Sequence, residues 1–138
     1  MTIHETLDTT KLLNEVCEQL KGLIRHIDPN KLGFIGIHTG GVWVANKITE
    51  ELQLKTNVGE LNIAFYRDDF SKIGVHPTVK PSQLPFEVSG RHLILVDDIL
   101  HTGRTVRAAM NEIFDYGRPL SISLVVLIAR SEERRVGK

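Results

Sequence analysis

Leu93-Ile94-Leu95-Val96-Asp97-Asp98-Ile99-Leu100-His101-Thr102-Gly103-Arg104-Thr105 is the stretch on which the reading of this chain turns. His92 to Val96 is a strongly apolar run, read as a strand buried on both faces, and it delivers two adjacent carboxylates to its end. A Thr-Gly-Arg-Thr turn follows and opens a helix predicted over 105–116. This arrangement suits a sugar phosphate. Backbone N–H groups at a helix N-terminus cradle an anion, and the helix dipole adds attraction. Gly103 lets the backbone approach closely, and the hydroxyls of Thr102 and Thr105 donate to phosphate oxygens. Asp97 and Asp98 accept from ribose hydroxyls, or hold Mg²⁺ through them or its waters. The plainer reading is that two acids and a threonine cap a helix, but a cap needs only one acid.

Working outward, strands and helices alternate. Leu13, Val16, Cys17, Leu20, Leu23, Ile24 and Ile27 recur at helical spacing, which predicts an amphipathic helix over 9–27 with Asp8 or Thr9 as its cap. Asp28-Pro29-Asn30 ends it. Leu32 to Ile37 reads as a buried strand, His38-Thr39-Gly40-Gly41 as a tight loop and Val42 to Leu52 as a helix. Val58 to Tyr66 alternates well enough for a second strand. Arg67 to Ser89 holds three prolines and no clear period, so it is read as a lid or excursion. Gly117-Arg118-Pro119 closes the helix after the acids, and Leu120 to Ala129 is a last apolar strand. The pattern predicts one α/β domain over 1–138, a doubly wound, mostly parallel sheet covered by helices on both faces. Ligands in such sheets sit at the carboxyl ends of the strands. The loops Thr39–Gly41 and Asp97–Thr105 both lie there.

The bulk composition agrees with one ordinary globular domain. The chain has 138 residues, with 17 Lys plus Arg against 17 Asp plus Glu. That balance carries no global electrostatic footprint for nucleic acid. A single cysteine, Cys17, cannot form an internal disulfide, and no apolar run approaches a membrane span or a secretory signal. A cytoplasmic protein with no membrane partner is expected. The six histidines (4, 26, 38, 76, 92 and 101) show no ligand spacing, so no transition-metal site is expected. Cys17 and Trp43 are both expected to pack in the core.

The string around Asp97 resembles the phosphoribosyl pyrophosphate (PRPP) motif of type I phosphoribosyltransferases. Gly36-Ile37-His38-Thr39-Gly40-Gly41 looks like that family's pyrophosphate loop, and Tyr66-Arg67-Asp68-Asp69-Phe70-Ser71 like the start of its mobile flap. The Tyr-Arg-Asp-Asp string, Asp98 to Ala109 and Gly117-Arg118-Pro119 select one branch, the pyrimidine-operon regulators that are also uracil phosphoribosyltransferases. The likeness runs over residues 5 to 128. It implies the type I phosphoribosyltransferase fold with a flap at 67–89. It also implies that Asp97 and Asp98 grip the ribose diol, and Mg²⁺ indirectly, as catalytic residues. Thr102, Gly103, Arg104 and Thr105 would hold the 5-phosphate, and Thr39, Gly40 and Gly41 would contact pyrophosphate. Arg67 would be a catalytic cation on the flap. The implied reaction is uracil plus PRPP giving UMP and pyrophosphate, in a homo-oligomer, with RNA as a second partner. The rival readings are a non-catalytic, nucleotide-responsive RNA-binding regulator and a type I transferase for another base. Lys21, Arg25, His26, Arg104, Arg107 and Arg118 are the candidates for an RNA-binding face, against the plainer reading of ordinary solvated charges.

Two departures from the family pattern stand out. Members of this branch commonly place arginine where this chain has Gly40, which removes a cation that His38 or Arg67 would have to replace. After Ile128 the family continues into a base-recognising hood, whereas Ser131 to Lys138 resembles nothing in the family. The tail, 130–138, reads as a solvated end, so weak uracil transfer is expected of the chain as given.

Overall fold

The computed structural model describes residues 9–63, 82–100 and 103–129. Helix α1 (Thr9–Ile24) packs Cys17 and Leu20 inward. It stops three residues short of the predicted end. Pro29 disfavours helical backbone at the residue before it, and Asp28 sits extended (φ −59°, ψ 123°), its carboxylate accepting from Asn30 N–H at 3.0 Å. Strand β1 (Leu32–Ile37) is buried at every position. Helix α2 (Gly40–Glu51) begins two residues earlier than its sequence suggests, with both loop glycines in its first turn. Strand β2 is short, Gly59–Leu61, and residues 64–66 of the predicted strand lie outside the described residues. Strand β3 (His92–Leu100), helix α3 (Gly103–Tyr116) and strand β4 (Ser121–Ala129) complete the order.

The sheet is parallel throughout, in the order β2-β1-β3-β4. Side chains alternate between its faces, and the core divides accordingly. Phe34, Ile94 and Val96 pack with Cys17, Leu20, Val44, Ala45 and Ile48, which places α1 and α2 on one face. Ile35, Leu93 and Leu95 pack with Ala109 and Ile113, which places α3 on the other. Each fully buried side chain of this size stabilises by about 1.5–3 kcal/mol relative to exposure. The chain therefore winds one way from β1 to β2 and the other way from β3 to β4, as the doubly wound reading expects. The order reverses between β1 and β3, the position at which such sheets bind ligands.

One sequence reading of side-chain placement needs correction. Trp43 is half exposed, with the Lys47 ammonium 5.6 Å from its ring centroid. The core-facing stripe of α2 is Val44, Ala45 and Ile48, and Trp43 lies off it. Helix α3 ends at Tyr116, as its sequence suggests, directly before Gly117. That glycine sits where a Cβ would meet Ser89 Oγ at 2.5 Å, and the neighbouring Arg118 N–H donates to that same hydroxyl at 3.1 Å.

Of the segment read as a flap, residues 67–81, Arg67 among them, lie outside the described residues. Residues 82–89 belong to the body, passing from the edge strand β2 at Gln83 to β1 at Phe86 and to Gly117 at Ser89. Val88 is buried, Leu84 and Phe86 pack on the core, and Glu60 and Gln83 exchange backbone hydrogen bonds of 2.8 Å. The tail from 130 onward is likewise outside them. Among the described residues, no helix is long and apolar enough to cross a membrane.

Candidate active site

β1 stops at Ile37 while β3 continues. The β1–β3 register ends at Gly36 opposite Val96, but β3 stays paired with β4 as far as Leu100 opposite Ala129. Asp97 and Asp98 thus do not end a strand, as the sequence suggests. They stand inside β3 just where its neighbour has left, and the gap is filled by the loop from β1. The alternation of the strand turns Asp98 to the α2 face and Asp97 to the α3 face.

The glycines explain how closely this loop approaches. A Cβ on Gly40 would overlap the Asp98 carboxylate, and one on Gly41 would overlap the Val96 carbonyl oxygen and come within 3.1 Å of Asp97 Cα. The start of α2 is therefore laid directly on the two acids. Thr39 occupies the N-cap position of α2, is exposed, and makes no side-chain cap hydrogen bond, so its hydroxyl is not used by the helix. The peptide joining His38 to Thr39 is cis. Helix α3 begins at Gly103, three residues beyond the end of β3. Two helix N-termini, each with unpaired N–H groups and the positive end of its dipole, thus follow the two strands that flank the switch point. Of the predicted site residues, Thr39, Gly40, Gly41, Asp97 and Asp98 come together here. Gly103 and Thr105 belong to the first turn of α3. Thr102, Arg67 and the side chain of Arg104 lie outside the described residues.

The two acids differ in environment. Asp97 is 7% exposed. Burial, followed by its hydrogen bonding and like charge with Asp98, raises its carboxyl from the ordinary 3.8 to about 7, against the pull of the Asp98 N–H, which donates to Asp97 Oδ1 at 2.9 Å. Asp98 is partly exposed, and its Oδ1 accepts from Ile99 N–H at 2.8 Å. Among the described residues no cation pairs with either. Between about pH 4 and 7 the folded chain keeps a proton on Asp97 that the unfolded chain has lost, so this group's contribution to stability is full below that window and is lost as pH rises through it. Asp97→Asn is accordingly expected to raise stability by roughly 2–4 kcal/mol at pH 8 and to change it little near pH 4. Thermal unfolding at the two pH values measures this.

The donor set fits magnesium. Both carboxylates are hard oxygen ligands, Asp98 partly exposed and Asp97 buried beside it, and among the described residues no group of three or more His, Cys, Asp or Glu side chains gathers into a cage. Mg²⁺ suits one or two carboxylates completed by substrate oxygens and water.

A roomy cleft lies elsewhere. It measures about 670 Å³, is lined by Asn30, Lys55, Phe86 and Arg91 among others, and opens where the strands begin. It brings no paired carboxylates together, and it is at the wrong end of the sheet for the ligand position of this architecture. Sequence reasoning missed one contact beside the pyrophosphate loop. His38 Nε2 lies 2.8 Å from Glu60 Oε1, across 22 residues of sequence. No local signal could have paired them, since only the β1–β2 register makes them neighbours. Of the basic residues considered for RNA, Lys21 lies on α1 and Arg107 on α3, on opposite faces of the sheet.

Comparison with known proteins agrees with this geometry. Residues 3–137 match the phosphoribosyl transferase domain family. The Bifunctional protein PyrR of Nitrosococcus oceani is 53% identical over 128 residues, covering 91% of this chain and 72% of that protein. The Bifunctional protein PyrR of Pseudomonas fluorescens is 52% identical over 118 residues, covering 86% and 70%. A hypoxanthine phosphoribosyltransferase from Staphylococcus aureus superposes with a TM-score of 0.65 over 92% of this chain and 68% of its own. A hypoxanthine-guanine phosphoribosyltransferase from Bacillus anthracis does so with 0.64 over 91% and 70%. Both structures are 16% identical in sequence and attest the fold alone. A carboxylate pair seated on a glycine loop at the switch point of a phosphoribosyltransferase fold, in a chain more than half identical to a PyrR protein, leaves one assignment: this chain belongs to the phosphoribosyl transferase domain family, in its PyrR branch.

Proposed function

We propose that the chain transfers the 5-phosphoribosyl group of PRPP to uracil, giving UMP and pyrophosphate, with regulation of pyrimidine genes through RNA as its second role. The observation that carries the enzymatic reading is the placement of Asp97 and Asp98 against Gly40 and Gly41, at the reversal of strand order between β1 and β3. The branch to which the chain belongs supplies the base.

In this reading the C1–O bond to pyrophosphate breaks, the C1–N1 bond to uracil forms, and the N1 proton passes to solvent. Positive charge builds on the ribose ring as the leaving group departs, as in glycoside hydrolysis. Asp97 and Asp98 accept from the ribose hydroxyls and offer that ring negative charge. The N–H groups at the start of α2, with the Thr39 hydroxyl, receive pyrophosphate, and those at the start of α3, with Thr105, receive the 5-phosphate. Bound Mg²⁺ would supply charge neutralisation on the pyrophosphate. The protein's part is positioning and fixed dipoles rather than covalent chemistry. Arg67, Thr102 and Arg104 complete the proposed set, on resemblance to the family.

A screen of uracil, orotate, hypoxanthine and adenine for pyrophosphate release with PRPP and Mg²⁺ tests the assignment. Uracil is expected to support release at least about tenfold above the other bases, a difference of about 1.4 kcal/mol. Equal or greater release with a purine base would overturn the choice of base. RNA binding measured as a function of salt tests the second role.

A further inference from the structure

His38 is tied to the edge strand twice. Its N–H donates to the Leu61 carbonyl at 2.9 Å, and its imidazole Nε2 lies 2.8 Å from Glu60 Oε1. An ionised carboxylate only accepts, so Nε2 carries the proton and donates. Both side chains are about one-third exposed. Glu60 is itself held from outside, because its backbone N–H and carbonyl both pair with Gln83. The carboxylate therefore cannot drift away with its strand. The next residue after His38 is Thr39, where the proposed pyrophosphate contacts begin. A carboxylate beside an anion-binding loop is an oddity, since an unscreened negative charge there repels the ligand.

We propose that Glu60 is a positioning residue for the pyrophosphate loop. It anchors the His38 imidazole so that Thr39, Gly40 and Gly41 are presented in one geometry, and the imidazole N–H in turn screens the Glu60 charge from the bound anion. This rests on the reading of 38–41 as the pyrophosphate loop. Gly40 offers no side chain of its own, and a side chain there would strike Asp98. The loop therefore depends on a group from outside it for its placement, and the side chain of His38 ties it to Glu60.

The arrangement makes a prediction of unusual sign. Removing the imidazole leaves a bare carboxylate next to the pyrophosphate, so removing that carboxylate as well should restore the part of the binding lost to repulsion, though not the part lost with the anchor. The test is calorimetric titration of PRPP with Mg²⁺ into the full chain and its His38→Ala, Glu60→Gln and His38→Ala/Glu60→Gln variants, at low and high salt, with thermal unfolding recorded for each. His38→Ala, which loses the anchor and bares the charge, is expected to weaken PRPP about tenfold, Glu60→Gln, which weakens the anchor alone, about threefold, and the double variant to recover to about threefold below the parent, the loss of the anchor, a non-additive result. The loss in His38→Ala should shrink at high salt. Half-saturation by uracil should move less than twofold in any of them. His38→Asn, which keeps an N–H to donate, should lose less than His38→Ala and serves if the alanine variant does not fold. A double variant as weak as His38→Ala or weaker, or an equal loss for uracil, overturns the proposal. Absence of PRPP binding by the parent chain instead overturns the proposed function on which this one stands.

Discussion

Asp98→Asn is expected to lower PRPP-dependent turnover by roughly 10²–10³-fold while leaving the fold intact. The amide keeps the acceptor that Asp98 Oδ1 offers to the Ile99 N–H at 2.8 Å, so the local backbone has no reason to move. Asp98 is also partly exposed, so its charge is not what holds the core together. What the amide lacks is negative charge facing the ribose and its metal, and charge-assisted hydrogen bonds are about twice as strong as neutral ones. A steady-state assay paired with a thermal melt checks both halves. A folded variant with near-parental turnover would remove Asp98 from the site. Asp97→Asn should lose turnover too, but with the pH-dependent gain in stability described above. The two neighbouring acids are thus separable by experiment, because one is buried and the other is not.

Gly41→Ala should produce a large loss of stability for a single added methyl. The new Cβ would overlap the Val96 carbonyl oxygen and press on Asp97 Cα. Both are backbone atoms of the central strand and have little room to yield. Overpacking of this kind costs about 1–3 kcal/mol and sometimes more. Whatever the structure does to relieve it moves the start of α2 away from the acids, so PRPP affinity should fall with stability. Gly22→Ala is the control. It stands exposed in α1 with nothing within 4 Å of its Cβ position, and it should stabilise by about 0.5–1 kcal/mol. Chemical denaturation of the two variants measures the contrast. Equal stability of both would mean that α2 does not seat on β3 as described.

Much of this architecture is legible in the sequence because burial dictates it. Leu32–Ile37 and Leu93–Val96 are apolar at nearly every position, a pattern that only a strand covered on both faces tolerates. The acids following the second run announce a strand leading into a ligand site. The details that escaped share one cause: they depend on contacts between distant segments. β3 runs on past Asp98 because β4 continues to pair with it after β1 has stopped. A histidine and a glutamate 22 residues apart carry no mutual signal until the β1–β2 register makes them neighbours. Thr39-Gly40-Gly41 reads as a turn because glycine is a poor helix former, yet tertiary packing needs glycine in the first turn of α2, where any side chain would strike β3. Trp43 was expected inside on the strength of its size, but the helix spends its buried stripe on Val44, Ala45 and Ile48. The raised carboxyl of Asp97 was invisible for a related reason. It follows from burial in the folded sheet and from the contact with Asp98, neither of which the local sequence displays.

The site as a whole stands or falls on whether PRPP occupies the switch point. Calorimetric titration of PRPP into the chain, with and without Mg²⁺ and in parallel for Asp98→Asn, addresses this most directly. The account predicts one saturable site per chain, tighter by at least about tenfold with Mg²⁺ present, and weakened to a similar degree in Asp98→Asn. No saturable binding, or binding that neither Mg²⁺ nor Asp98→Asn alters, would contradict it.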